Sequence, residues 1–202
     1  MTGPHPFLYP GPVSTIQSKR WTRAEYERLI DLGVFGPGDR LELLGGQLIV
    51  AEPQGAEHYS AVRRVTRALE AAFGPGWEVR PEGPIALDED SEPEPDAAVV
   101  PGSSEDYRFA HPARPVLAVE VAVSSLSLDR THKASLYARA GVTDYWIVNL
   151  VDGVVEVHRD PARDAEAPYG WTYASVNVLA RGASIAPLAA PASRIAVSAL
   201  VP

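Results

Sequence analysis

Apolar and polar residues alternate along this chain with two different periods, and the places where the period changes mark its elements. Thr22-Arg23-Ala24-Glu25 reads as a capping box, with Thr22 as N-cap and Glu25 reaching back to it. Tyr26, Leu29 and Ile30 give the helix that follows an apolar face, and Gly33 supplies its stop. Arg40–Val50 holds two apolar runs around Gly45-Gly46, which is the pattern of a hairpin. From about Ala56 to Phe73 the period is helical. Val62, Val65, Leu69 and Phe73 form an inner stripe, Arg63, Arg64 and Arg67 point outward, and Gly74-Pro75-Gly76 ends the run.

Strands are predicted over Trp77–Leu87, Asp96–Pro101 and Pro115–Val123. A further helix is predicted from about Leu128 to Ala140, stopped by Gly141. Tyr145–Leu150 and Val154–Arg159 read as two strands joined through Asp152-Gly153. A polar loop over 160–170 and a strand over Trp171–Val178 follow. The Ala/Pro-rich end shows no helical period. Residues 1–19, rich in Gly and Pro, read as a flexible tail, which leaves 20–202 as one domain without internal repeats. This order predicts a mixed α/β domain: a central mixed sheet flanked by helices.

With 202 residues and 46% apolar content, the chain can bury one sizeable core. No run approaches the roughly 18 uninterrupted apolar residues of a membrane helix, and Met1–Arg20 lacks the apolar core of a signal peptide. The expectation is a cytoplasmic protein with no membrane partner. There is no cysteine, which excludes disulfides, thiolate zinc sites and a cysteine nucleophile. Any metal must then be held by carboxylates, imidazoles, carbonyls or water, a set that favours Mg²⁺ or Mn²⁺ over zinc. A net charge of −8 argues against a protein that coats nucleic acid nonspecifically, yet it leaves room for a basic surface beside an acidic site. Only two of the 18 basic residues are lysines, Lys19 and Lys133.

The most informative residue is Glu120. It stands in the middle of Val116-Leu117-Ala118-Val119-Glu120-Val121-Ala122-Val123, a run apolar on both faces. A carboxylate buried there needs a cation, a metal or a proton. The alternative is a structural ion pair with an arginine from a neighbouring element. Alternation places Val116, Ala118, Glu120 and Ala122 on one face, so the glutamate's neighbours are small. Small neighbours leave space for a metal and its waters, or for a packed helix.

Asp96 opens another apolar strand, although Pro-Asp is also a common turn pair. The acidic stretch before it (Asp88, Glu89, Asp90, Glu92, Glu94) reads as a solvated loop. Asp129 and Lys133 stand four apart on the helix after the Glu120 strand. The plain reading is a surface ion pair contributing a few tenths of a kcal/mol. Lys133 also shares a helix face with Tyr137. Glu42 alternates with apolar residues in the first hairpin, and His58 leans toward the core side of its helix.

In order along the chain stand Arg20-Trp21-Thr22, Glu25-Tyr26, Glu42-Leu43-Leu44-Gly45-Gly46-Gln47-Leu48, His58 and Pro95-Asp96. Val119-Glu120-Val121, Ser124-Ser125, Asp129, Lys133, Tyr137, Gly141-Val142 and Asp144-Tyr145-Trp146-Ile147-Val148 follow. This series, from about residue 20 onward, resembles the Uma2 family of restriction-endonuclease-like proteins in the PD-(D/E)XK nuclease superfamily. The resemblance implies a restriction-endonuclease-like core and a Mg²⁺-type metal held by acids. Carried over, Asp96 is the aspartate of the PD motif and Glu120 the acid of the second motif. The carbonyl of Val121 is then a further ligand, Glu42 completes the cluster, and His58 lies nearby.

Two departures stand out. The superfamily's lysine position, two residues after the acid, is Ala122 here, and in this family's pattern Lys133 of the following helix takes that role. The family's Ser-Pro-Ser is altered to Val123-Ser124-Ser125. The implied activity is hydrolysis of phosphodiester bonds in nucleic acid, DNA before RNA, with Asp96, Glu120 and Lys133 catalytic. Arg63, Arg64, Arg67 and Arg130 are candidates for phosphate contacts, or plain solvated helix faces. The rival is a non-catalytic protein of the same fold, a dimeric scaffold or nucleic-acid-associated module. A weaker third reading is a metal-dependent hydrolase of small phosphoesters. Cutting both strands of a duplex is most simply done by a two-fold homodimer. Tyr145-Trp146-Ile147-Val148 and the apolar C-terminal end offer surface for it, unless both are core.

Overall fold

The computed structural model describes residues 18–36, 38–51 and 54–202. The tail expected over 1–19 lies outside the described residues up to residue 17. Helix α1 (Arg23–Asp31) starts at the capping box. The Thr22 hydroxyl accepts the Glu25 N–H at 3.2 Å, and the Glu25 carboxylate accepts the Thr22 N–H at 2.9 Å. Strands β1 (Leu41–Leu44) and β2 (Gln47–Val50) form the hairpin, turned by Gly45 and Gly46 at φ of 55° and 79°. Helix α2 (Ala56–Phe73) buries Ala61, Val62, Val65 and Leu69, and leaves Arg63, Arg64 and Arg67 exposed.

Six strands make the central sheet, in the order β3 (Trp77–Pro81), β4 (Ala97–Pro101), β5 (Leu117–Ala122), β6 (Asp144–Asn149), β7 (Val154–Arg163) and β8 (Trp171–Ala180). The β5–β6 pairing is parallel and the others are antiparallel. A parallel pair needs a crossover. Here α3 (Leu126–Leu128), a π-turn over Asp129–Lys133 and α4 (Ala134–Arg139) supply it as one helical stretch that ends at Gly141, φ 76°. The predicted mixed sheet flanked by helices is therefore the observed architecture.

Several boundaries differ. The strand expected over Trp77–Leu87 stops at Pro81, which has no N–H to give the ladder, and Glu82 follows at φ 49°. Ile85 remains buried through a loop bond to Pro93. Strand β7 continues past Arg159 into the expected polar loop. It pairs with β8 as far as Arg163 and Trp171, where the guanidinium lies 4.4 Å from the ring centroid. The C-terminal end forms β9 (Ser184–Ile185), β10 (Ile195–Ala196) and α5 (Val197–Leu200), which send Ile185, Ile195, Val197 and Leu200 into the core. Tyr145–Val148 is fully buried in β6, and with these C-terminal residues also buried, both runs offered as dimer surface are core.

The two faces of the sheet pack differently. Val99, Leu117, Val119, Val121, Trp146 and Val148 meet α2 and α5 in an apolar layer. Ala118, Ala122, Tyr145 and Ile147 meet Ala134, Tyr137 and Ala138 of the crossover helix. No helix among the described residues is long and apolar enough to cross a membrane.

Candidate functional site

A cleft of about 660 Å³ opens where the β1–β2 hairpin, the start of α2, the end of β5 and the π-turn meet. Glu42, His58, Asp96, Glu120 and Lys133 all line it, so residues far apart in sequence come together there. Arg40, Glu82, Glu94, Asp129 and His132 line it too. Val121 does not line the cleft. Its side chain joins the α2 core, and its N–H donates to Asp96 Oδ2 at 2.7 Å. Arg63, Arg64, Arg67 and Arg130 also lie outside the lining. Arg130 is tied to Glu156 through Nε and Nη2 at 2.9 and 2.7 Å.

Lys133 is no surface ion-pair partner. It is buried, with its ammonium 3.1 Å from Glu120 Oε1 and 3.2 Å from Glu42 Oε2. Its element explains the placement. In the π-turn the Ala134 N–H bonds back to the Asp129 carbonyl, an i→i+5 pattern. Tyr145 Oη donates to the same carbonyl at 3.1 Å, which holds the widened turn against β6. Such turns recur at functional sites. Asp129, Lys133 and Tyr137 are all buried along this stretch, and Asp129 and Lys133 line the cleft.

The hydrogen bonds set the orientation of each acid. Tyr137 Oη donates to Glu120 Oε1 at 2.8 Å. Asp96 Oδ2 also lies 3.2 Å from His58 Nε2, and the Glu94 N–H donates to Glu42 Oε2 at 3.2 Å. Ser125 Oγ donates to Asp129 Oδ2 at 2.6 Å. Asp129, read as half of a surface pair, is thus a buried wall of the cleft. Tyr137 is an anchor for Glu120, and the sequence marks it by the helix face it shares with Lys133 and by its place in the family-like series.

Burial pushes the Glu120 carboxyl well up, although Lys133 opposes it. Burial likewise pushes Asp129 up to about 6 against Lys133 and the Ser125 hydroxyl. Burial works against the Lys133 charge, but Glu120, Glu42 and Asp129 outweigh it and hold the ammonium above its ordinary range. At His58, burial is outweighed by the Asp96 contact, and the imidazole rises. Among these buried groups the Lys133 ammonium is the fixed charge, and Glu120 and Asp129 are the carboxyls that burial pushes toward holding a proton.

The donor set of carboxylate oxygens fits a hard divalent cation in chemistry and charge, since acids outnumber the one buried ammonium. Its arrangement serves that ammonium instead. Among the described residues no three His, Asp or Glu side chains ring a common point as a metal cage would. Lys133 holds Glu42 and Glu120 to itself, while Asp96 turns to His58 and the Val121 amide.

A family model named Uma2, described as "Putative restriction endonuclease", matches residues 23–198. No curated protein matches the sequence. Among solved structures, the chain is similar to a "putative nuclease belonging to DUF820" from Anabaena variabilis. The two are 16% identical with a TM-score of 0.66, over 89% of this chain and 96% of that one. At that identity the likeness is one of fold.

Proposed function

The chain belongs to the Uma2 family, and from that premise we propose that it is a metal-dependent endonuclease that hydrolyses phosphodiester bonds of nucleic acid, DNA before RNA. The observation that carries this reading is the meeting of Glu42, Asp96, Glu120 and Lys133 in one cleft. The solved structure that shares the fold is itself described as a "putative nuclease", which supports it.

Glu42, Asp96 and Glu120 are the acids that would hold Mg²⁺ or Mn²⁺, with the Val121 carbonyl and His58 as further candidates, and an ion there would have to draw Glu42 and Glu120 from the ammonium that holds them now. A bound ion would supply Lewis acidity to the phosphodiester and to water. The chain's own groups do the rest. Tyr137 fixes the rotamer of Glu120, and His58 with the Val121 N–H fixes Asp96. Lys133 keeps a positive charge at the floor of a partly dehydrated cleft, where it would stabilise negative charge growing on the phosphate oxygens. Arg63, Arg64 and Arg67 would meet backbone phosphates beyond the cleft. Arg130 is the weaker candidate because Glu156 already holds it.

A second reading, a non-catalytic scaffold or nucleic-acid-associated module of the same fold, is favoured by the ammonium seated between Glu42 and Glu120. One assay separates the two. Purified protein is incubated with single-stranded DNA, duplex DNA and RNA, with and without Mg²⁺ or Mn²⁺, beside Asp96→Asn, Glu120→Gln and Lys133→Arg. Cleavage that needs the ion and falls at least about 100-fold in each variant is the expected result. Ion binding with no cleavage of any polymer would hand the chain to the second reading.

A further inference from the structure

The two edges of the central sheet are built differently. Edge β3 is five residues long and carries Glu78, Arg80 and Pro81. Charges, proline and shortness are the usual ways to keep an edge from pairing with another chain. Edge β8 has none of them. Its ten residues, Trp171–Ala180, include no charge, no proline and no glycine. It pairs with β7 on one side only among the described residues. Half of its backbone N–H and C=O groups therefore face away from the sheet.

On one face of β8 the exposed side chains at its centre are apolar, while Asn177 between them is exposed on the other face. Val176 and Val178 stand directly across from His158 and Glu156 of β7, so they share one face, and they are 50% and 62% exposed. The partners on β7 are buried. The sheet is thus packed up to its last strand and then presents a bare valine pair beside an open hydrogen-bonding edge.

We propose that β8 is the surface through which two copies of this chain associate, each β8 pairing antiparallel with the other's across a two-fold axis. The occupant follows from charge and symmetry. Each copy carries a net charge of −8, so self-association needs a contact that opposes no like charges, and this uncharged strand provides one. An antiparallel pair of identical strands is two-fold by construction and closes at the dimer. Pairing gives the outward backbone groups their partners and sets Val176 and Val178 of one copy beside those of the other. It joins two six-stranded sheets into one continuous sheet. The proposal stands whether or not the cleft cuts nucleic acid.

Light scattering on the full chain at tens of micromolar should give twice the 21.7 kDa mass. Val176→Lys combined with Val178→Lys should return it to the single-chain mass and weaken dimerisation at least ten-fold, with an unchanged circular dichroism spectrum because both positions are exposed. The parent has no cysteine, so a single cysteine placed in turn at each position from Thr172 to Leu179 reports on the contact alone. Under mild oxidation, cross-linking should peak at one position and fall away to either side, the mark of a symmetric antiparallel pair. A parent that is monomeric overturns the proposal, whatever else then covers the edge. So does a dimer that survives both lysines and yields no cross-link within β8.

Discussion

Strand β5 shows one backbone to two kinds of surroundings. On one face Leu117, Val119 and Val121 lie against Val65, Leu69 and the C-terminal residues in a layer without charge. On the other, Glu120 stands between Ala118 and Ala122 and meets Lys133 and Tyr137 of the crossover helix. The first face is held by area removed from water and by close packing, which no pH change disturbs. The second is held by charges that must be matched, and its alanines leave room for the long Lys133 and Tyr137 side chains. The same strand therefore has a face that can lose a methyl group and remain the same surface, and a face where the loss of one charge changes the protonation of its neighbours.

The largest expected effect breaks the charged face. Lys133→Ala should cost about 3–5 kcal/mol at pH 7, because it leaves Glu42 and Glu120 buried without their cation. The cost should be smaller at pH 5 than at pH 7, because Glu120, whose carboxyl burial pushes well up, can take a proton in place of the ammonium. Urea denaturation at both pH values measures it. A change below about 0.5 kcal/mol would return Lys133 to the role of an exposed helix pair with Asp129.

The matching change on the apolar face is Leu69→Ala. Leu69 is fully buried, and its loss should cost about 2–5 kcal/mol through transfer and cavity terms together. Unlike the lysine change, this one should cost the same at pH 5 and pH 7. If the Leu69→Ala penalty tracks pH as the Lys133→Ala penalty does, the two faces are coupled and the contrast drawn between them is wrong.

What could be read from the sequence divides along the same line. The apolar face writes itself as period: the stripe of α2, the alternation of β5 and the hairpin around Gly45-Gly46 all formed where local pattern placed them. Glu120 was visible because a charge interrupts an apolar run. The charged face depends instead on meetings between distant residues. Lys133 and Glu42 stand 91 residues apart, and nothing local to either names the other. Asp129 and Lys133 four apart looked like an ordinary helix pair, because a π-turn leaves no mark in side-chain type and only the backbone shows it. The acidic stretch before Asp96 looked like a solvated loop, yet Glu92 in it is buried against the hairpin through backbone bonds with Leu43.

Glu92 supplies the smallest and cleanest test of the contrast, since it is a buried carboxyl that has Arg23 acting on it but, among the described residues, no ion pair like the one Lys133 gives Glu120. Its Oε2 has no hydrogen-bond partner, and burial, with Glu27 adding to it, pushes its pKa up to about 7. A carboxyl whose folded pKa lies above its unfolded value of 4.5 binds its proton more tightly in the folded state. The stability this contributes is complete below about pH 4.5 and is lost as the pH rises through about 7. Glu92→Gln keeps the shape and removes the titration. The variant should gain on the parent steadily from pH 4.5 to 7, by up to about 3 kcal/mol at about 1.4 kcal/mol per pH unit, and then run parallel to it up to pH 8. Thermal melts of both proteins at half-unit pH steps read this directly. Parallel curves for the two proteins across that window would show that Glu92 is ionised throughout, and that a buried carboxyl in this fold can keep its charge without a direct ion pair.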